Sequence, residues 1–460
     1  MTTELKNITR NLGEAPLVKL LLQLSLPAMG SMATMALYNI INTFWVARLG
    51  YRPIAAITVM IPFYIVSMAL ASGAGVGTNA LVSLRFGEKN IEAANKIGGQ
   101  IFPISICCGL LFVTAAVLFP RQILTLCGAT PDVMDFAAVY LTIMGCGIPF
   151  TMLLITATNL LRGSGEAVRP MIFSLSGTVL NMVLDPLLIF GIGPFPEIGF
   201  PGAALASVIS QFLAASITLY FIFGHKTVYR MKIKDLVPDF HIIKDIFRIG
   251  LPSAVVELME SVLFTVYNHV LAGFGSMALA AGGLMIRAVD FAFMPIFGAM
   301  QGVLPVIGYC FGARLWARLW RAVKLASFSL AVFLGVVTIA FVIWAPEVIG
   351  IFTGDPEINA MAVDALRIVI SSLAFFGPTM IIITVFQGMS KAKTALVLSL
   401  VRQIVFYIPV IILLPKLLGL TGVWIAWPLC DFLAFLVTCF WIIHEYRIRK
   451  KAGEIVNFQY

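Results

Sequence analysis

The chain has 460 residues, of which 60% are hydrophobic and only 12% charged, with a formal net charge of +9 and a mean hydropathy of +0.99. A soluble globular chain is about a quarter charged, so half that value reads as a polytopic membrane protein. The seven cysteines fall almost wholly in apolar segments and show no paired C-x-x-C spacing, which argues against a disulfide framework or a zinc site.

A membrane-crossing helix needs about 20 mostly apolar residues. Twelve such stretches follow one another, at 20–48, 54–82, 95–118, 135–160, 168–192, 202–223, 246–272, 278–308, 322–343, 360–388, 394–414 and 421–443. The leading stretch "MTTELKNITRNLGEAPLVKL" lacks a short apolar core with a small-residue cleavage site, so no cleavable signal peptide is expected. With the N-terminus inside, the cytoplasmic segments hold 25 of the 31 Lys and Arg. The outer ones hold Arg48, Arg52, Arg121 and Lys416, while Arg287 and Arg367 lie within spans. That bias follows the positive-inside rule. It predicts a cytoplasmic-membrane protein with both termini cytoplasmic, and it explains the basic balance without nucleic acid.

The chain also repeats itself. A shift of 225 residues carries Pro27 onto Pro252, Gly50 onto Gly275, Gly77 onto Gly302 and Gly87 onto Gly312, with no gap. "RGSGEA" at 162 falls on "QGMSKA" at 387 by the same shift. Each copy holds six spans, so the copies run parallel, related by an axis along the membrane normal. The predicted architecture is an all-α membrane protein of two six-helix lobes. One lobe is 1–223, the linker 224–245 and the second lobe 246–460. Facing bundles of this kind leave a cavity between them where a transporter takes its substrate.

Five acids lie well inside spans: Asp185, Glu257, Glu260, Asp290 and Asp431. An acid there persists when it is protonated, paired or facing water. Asn181 and Asp185 are four residues apart and share one helix face, so the amide can bond the carboxyl or help ligate a cation. Pro186 removes a backbone donor next to this pair and predicts a local distortion. Glu257 and Glu260 share a face three residues apart, and two carboxylates so placed repel. Arg287 and Asp290, also three apart, are expected to form a local ion pair, with a cavity-facing Asp290 as the rival reading. Asp431 reads as a lone cavity acid. Tyr38, Trp45, Tyr64, Met259, Met285 and Gln301 are candidates for an adaptable surface suited to varied cationic ligands. Composition and pattern therefore support a two-lobed transporter with buried acids.

Several stretches carry a family resemblance. They are "SLPAMGSMATMALYNIINTFWVARLG", "GAGVGTNALVSLRFGEKN", "LRGSGEAVRP", "NMVLDPLLIFGIG", "GFPGAALAS", "GLPSAVVELMESVLF", "MPIFGAMQGVLPVIGYCFGAR" and "FQGMSKA". In this order, with twelve spans and a parallel repeat, the chain resembles the multidrug and toxic compound extrusion (MATE) family along its whole length. Its Asp in span 5 is similar to that of the DNA-damage-inducible branch. The resemblance implies a V-shaped exporter of organic, often cationic, drug-like molecules, driven by inward flow of protons or sodium ions. It implies no cofactor beyond that coupling ion, and a monomer in the bilayer. It assigns Asp185 and Asn181 to the coupling-ion site, with sodium as one candidate ion there, and links Glu260 to cation binding in the second lobe. Where one prokaryotic branch has an Asp in "NxxDxxFV", this chain has Asn42, in "YNIINTFWV". The missing carboxylate weakens the case for sodium and tilts the expectation towards protons. An alternative cargo, a lipid-linked or cell-wall precursor, would need a cationic cavity. An enzyme or a nucleotide-driven pump finds no metal cluster or Walker-type loop in the sequence.

Overall fold

The structure, a computed structural model, describes residues 9–224, 227–353 and 355–454; residues 225–226 of the linker lie outside these. Among the described residues there is no strand, and the twelve apolar stretches are twelve long helices. They are α1 (Leu17–Ala47), α2 (Tyr51–Gly87), α3 (Ile91–Leu118), α4 (Pro131–Gly163), α5 (Val168–Phe190) and α6 (Phe200–Phe223), then α7 (Phe240–Ala272), α8 (Ser276–Gly312), α9 (Trp316–Ile343), α10 (Pro356–Gly388), α11 (Ala392–Leu418) and α12 (Leu420–Lys451). The predicted fold class is the one found. Helix ends overshoot the predicted spans because hydropathy senses the hydrocarbon layer and not the end of hydrogen bonding. α2 and α8 have 37 residues each, about 55 Å at 1.5 Å per residue, against a hydrocarbon core of about 30 Å. α12 likewise runs on into Arg449, Lys450 and Lys451, basic residues that suit a helix C-terminus.

The internal repeat is visible in the packing. In the first half α2 packs on α4, α1 on α5, α3 on α4, α4 on α6 and α5 on α6. The second half repeats every one of these pairs, as α8 on α10, α7 on α11, α9 on α10, α10 on α12 and α11 on α12. The lobes join through α2 with α7, α1 with α8, and α2 with α8.

Glycines set how closely they join. A Cβ at Gly73 would stand 3.1 Å from Ala254 Cβ, and one at Gly298, its repeat partner, 2.3 Å from Met29 Cγ. A Cβ at Gly77 would stand 2.0 Å from Ile246 O and 3.2 Å from Gly250 N, and one at its partner Gly302 would stand 2.8 Å from Ser25 N. Ala254 and Gly250 are themselves the 225-residue counterparts of Met29 and Ser25. Gly87 meets its own counterpart: its Cβ would lie 3.0 Å from Gly312 Cα. These approaches all lie at the end of the bundle where the described chain begins and ends. Straps reinforce that end. Gln100 donates to Asp235 O and Val237 O, at 3.0 Å each, and accepts from Asp239 N at 2.8 Å, holding the linker on α3. Arg318 donates to Leu12 O and Ala15 O, at 3.1 and 2.6 Å, tying the N-terminal segment to the second lobe.

Gly77→Ala places its methyl group against backbone atoms that cannot rotate away. It is expected to destabilise the protein by about 1–3 kcal/mol. Gly283→Ala, whose Cβ meets nothing within 4 Å, is expected to stay within about 0.5 kcal/mol. Thermal unfolding of both purified variants in detergent checks the difference.

Candidate functional site

α5 runs unbroken through Pro186, whose missing N–H leaves the Met182 carbonyl without its usual helical donor. The predicted distortion is thus confined to a lost bond. Asn181 and Asp185 do share a face, which points into the first lobe. Asp185 has 0% exposure. Asn42 of α1 donates to its Oδ2 at 3.3 Å, and Asn181 to its Oδ1 at 3.3 Å. Asn181 also donates to Ser207 Oγ of α6 at 3.2 Å, and that hydroxyl meets the Tyr38 hydroxyl of α1 at 3.0 Å. Turned by half a rotation, the Asn181 amide still donates to Asp185, at 3.2 Å, and its oxygen then accepts from Ser207 N at 3.1 Å. Three helices thus converge on one carboxyl group whose partners are neutral amides at the long end of the hydrogen-bond range. No basic side chain pairs with it among the described residues.

Beside this network, between the lobes, lies a chamber of about 520 Å³, the size that takes drug-like ligands. Asn181, Ser207 and Tyr38 line it, while Asp185 and Asn42 stand one layer behind. From the other lobe Glu257 and Glu260 of α7 line it. Glu257 reaches Ser72 of α2, and Glu260 lies within electrostatic reach of Arg402 and Asp290. Gln301 and Tyr64 line it as predicted, together with Met32, Met35, Met68, Met300 and Met380, which the sequence did not single out.

Other candidates fall elsewhere. Asp431 is no lone cavity acid: it is 1% exposed, outside the chamber, and accepts from Arg402 Nε at 2.9 Å. Arg402, counted with the cytoplasmic charges in the sequence, is buried in α11 on a π-helical stretch, Val401–Tyr407. Its guanidinium stacks over Phe376 at 4.4 Å and Tyr407 at 5.3 Å. Arg287 and Asp290 are both exposed, and no ion pair joins them among the described residues; Asp290 does not line the chamber. Met285 is fully buried in packing, and neither it nor Met259 reaches the chamber. Trp45 packs edge-on to Phe190 at 6.0 Å. These misplacements have one source. A uniformly apolar helix gives no signal for its rotation, so the face turned to the chamber cannot be read from pattern alone.

Comparison with known proteins agrees with this arrangement. The MatE family profile matches the chain twice, at residues 27–187 and 252–413. The chain belongs to the MatE family. Both matched stretches fall on the structural repeat, one in each lobe. Among MatE relatives, the multidrug export protein MepA of Staphylococcus aureus is 29% identical over 429 residues, covering 92% of this chain and 94% of that protein. MepA of Staphylococcus saprophyticus is 28% identical over 422 residues, covering 91% and 92%. Among solved structures, an outward-facing multidrug resistance MATE family transporter of the MOP superfamily superposes with a TM-score of 0.90 at 26% identity, covering 98% of this chain and 99% of that one. A MOP superfamily transporter from Pyrococcus furiosus, described as having a binding pocket of reverse polarity that suggests a different function, gives 0.89 at 26% identity, covering 99% and 100%. With its twelve apolar helices, this MatE protein is a multi-pass membrane protein.

The Arg402–Asp431 pair gives a clean test of which acid is structural. Removing either partner alone (Arg402→Leu or Asp431→Leu) strands a buried charge and is expected to destabilise by about 3–5 kcal/mol. The double variant is expected to recover much of the loss. A double-mutant cycle by thermal unfolding checks it.

Proposed function

We propose that this chain is a secondary active multidrug exporter of the cytoplasmic membrane, a transporter and not an enzyme, that couples efflux of organic cations to inward movement of protons through Asp185. The observation that carries this reading is a fully buried carboxyl group, one layer from the chamber, held only by neutral amides. An ionised group there is buried behind the chamber wall with no counter-ion among the described residues, so the site gains from a cation that neutralises it. The amides stabilise the ionised carboxyl group, and as placed they offer it no oxygen with which to share a metal ion. Asn42 and Asn181 both turn N–H towards the carboxyl group, whereas a sodium ion needs oxygen ligands. With Asn42 in place of a second acid, the site holds one formal negative charge.

The coupling follows from differential affinity. In the state described here the lobes meet at the end bearing the basic loops, which the positive-inside rule places in the cytoplasm. The chamber then serves the outer face, as in the outward-facing transporter structure it resembles. Protonation of Asp185 removes the charge that Asn42 and Asn181 hold between α1, α5 and α6, and so shifts the relative stability of the lobe arrangements. A cargo and a proton that prefer opposite arrangements exchange across the membrane. Five methionines and two tyrosines on the chamber wall supply polarisable, re-packable surface for varied cargo. Two carboxylates against one guanidinium on that wall disfavour a pyrophosphate-linked lipid as cargo.

In proteoliposomes, wild-type protein is expected to move ethidium under an imposed proton gradient and much less under a sodium gradient. Asp185→Asn is expected to lose at least about ten-fold in energised rate, a loss of 1.4 kcal/mol or more of coupling, with an unchanged elution profile. Full-rate transport by well-folded Asp185→Asn protein sinks the proton role; a sodium-driven, proton-independent wild type replaces the ion.

A further inference from the structure

The linker between the lobes carries a surface that its own chain leaves uncovered. Ile233 is 87% exposed, Val237 62%, and Phe240, the first residue of α7, 80%. Beside them Lys232 and Lys234 are exposed, and so are Lys244 and Arg248. Phe240, Lys244 and Arg248 follow one another at four-residue steps, so they form one stripe along α7. Two of the three acids in this stretch are engaged by its own backbone. Asp235 is buried and accepts from Lys232 N at 2.8 Å, and Asp239 accepts from His241 N at 2.9 Å as the cap of α7. Asp245, the third, is exposed. The outward face is therefore mainly apolar and basic.

The depth of this face follows from α3. No charge stands between Lys96 and Arg121, and a hydrocarbon core takes about 20 residues of helix, so this run holds the core. Gln100 lies one helical turn past Lys96, within about 6 Å of the edge of the run. Its side chain bonds Asp235 O, Val237 O and Asp239 N, and a Cβ at Gly99 would meet Asp235 O. The linker therefore runs where lipid headgroups border the hydrocarbon. The positive-inside bias accounts for its lysines. It does not account for three large apolar side chains exposed among them. Apolar groups that enter the acyl boundary, flanked by Lys and Arg whose long stems reach the phosphates, are the pattern of an interfacial segment.

We propose that residues 232–240 and the first turns of α7 form an interfacial anchor that takes anionic phospholipid from the leaflet at the end bearing the basic loops. Ile233, Val237 and Phe240 enter the acyl boundary, and the four cations around them receive the phosphates. Arg248 offers a phosphate its planar fork, and the lysines act as point charges. The linker is the covalent joint between the lobes, so the anchor ties that joint to the lipid surface. The inference goes beyond the efflux reading and does not depend on which ion or cargo moves.

The test incorporates a fluorescent amino acid in place of Ile233 in the full-length protein, held in nanodiscs of phosphatidylcholine alone or of an equal mixture with phosphatidylglycerol. Acrylamide, a neutral quencher confined to water, reads how far the position is open to solvent. The quenching constant is expected to fall about three-fold or more in the anionic discs, since each cation near an anionic surface biases contact about five-fold. Salt at about 1 M, where the Debye length is about 3 Å, is expected to remove most of that fall. The same fluorophore in place of Glu88, exposed at the end of α2, is the reference and is expected to stay accessible in both discs. Lys244→Gln with Arg248→Gln, and separately Lys232→Gln with Lys234→Gln, are each expected to lose about half of the lipid dependence; the second pair carries the test if the first elutes as aggregate. Equal quenching in the two compositions overturns the anchor. So does a fall that survives high salt and both pairs of substitutions, because charge then plays no part. A position as accessible as the Glu88 reference in both discs overturns it too, and leaves the face to a soluble partner. None of these outcomes bears on the efflux reading, which the ethidium assay judges.

Discussion

Every charge within the membrane-spanning body must be paired, neutralised or wetted, because hydrocarbon and packed side chains offer it nothing else. The ionisable groups of this chain sort by which of the three they use. Asp431 is paired with Arg402 at 2.9 Å and stays out of the chamber. Glu257, Glu260 and Arg162 face the chamber. Asp185 has neither a charged partner nor direct contact with the chamber, and only amides around it. It sits where three helices of one lobe meet.

The lobe interface makes such a local change consequential. Backbones approach at glycines in pairs that the 225-residue repeat exchanges, Gly73 with Gly298 and Gly77 with Gly302. Contacts of that closeness form fully or not at all, since packed surfaces do not deform continuously. α1 belongs to both systems. It contributes Asn42 and Tyr38 to the acid's network, and Ser25 and Met29 to the contact with α8. α1 thus links the network around Asp185 to the contact between the lobes.

Much of this was legible in the sequence. Length of apolar run yields twelve helices, and the glycines and prolines of the repeat yield two parallel six-helix lobes. The four-residue spacing of Asn181 and Asp185 yields their shared face, and the YNIINTFWV stretch yields Asn42 as their neighbour only through resemblance, since α1 and α5 are far apart in sequence. What stayed hidden is rotation about each helix axis. Asp431 and Met285 look like cavity candidates because the stretches around them are apolar on every side, with no polar stripe to tell inside from outside. Arg402 follows Lys391 and Lys393 closely in the sequence and so looks like one of the cytoplasmic charges. Its acid partner is 29 residues away, on the next helix, a pairing that no local pattern encodes. Arg162 escaped for a related reason: α4 runs past the predicted span end at 160 to Gly163, which brings a residue that looks like a loop charge to the chamber floor.

The two lobes share a plan and differ at one joint. In each, the fifth helix of the repeat is tied to the sixth by polar side chains: Asn181 of α5 to Ser207 of α6, and Arg402 of α11 to Asp431 of α12. The second joint satisfies its own charge, and the aromatic faces of Phe376 and Tyr407 cover its guanidinium. Such a pair resists a change of protonation, because removing either charge strands the other. The first joint lacks a basic residue and borrows amides from α1 and α5, so its acid has no internal charge to satisfy. The two joints do not coincide under the 225-residue shift, which carries Asp185 onto Val410 and Gly177 onto Arg402. Of the two joints, the one at Asp185 is therefore without a fixed counter-charge among the described residues, while the one at Asp431 carries its own.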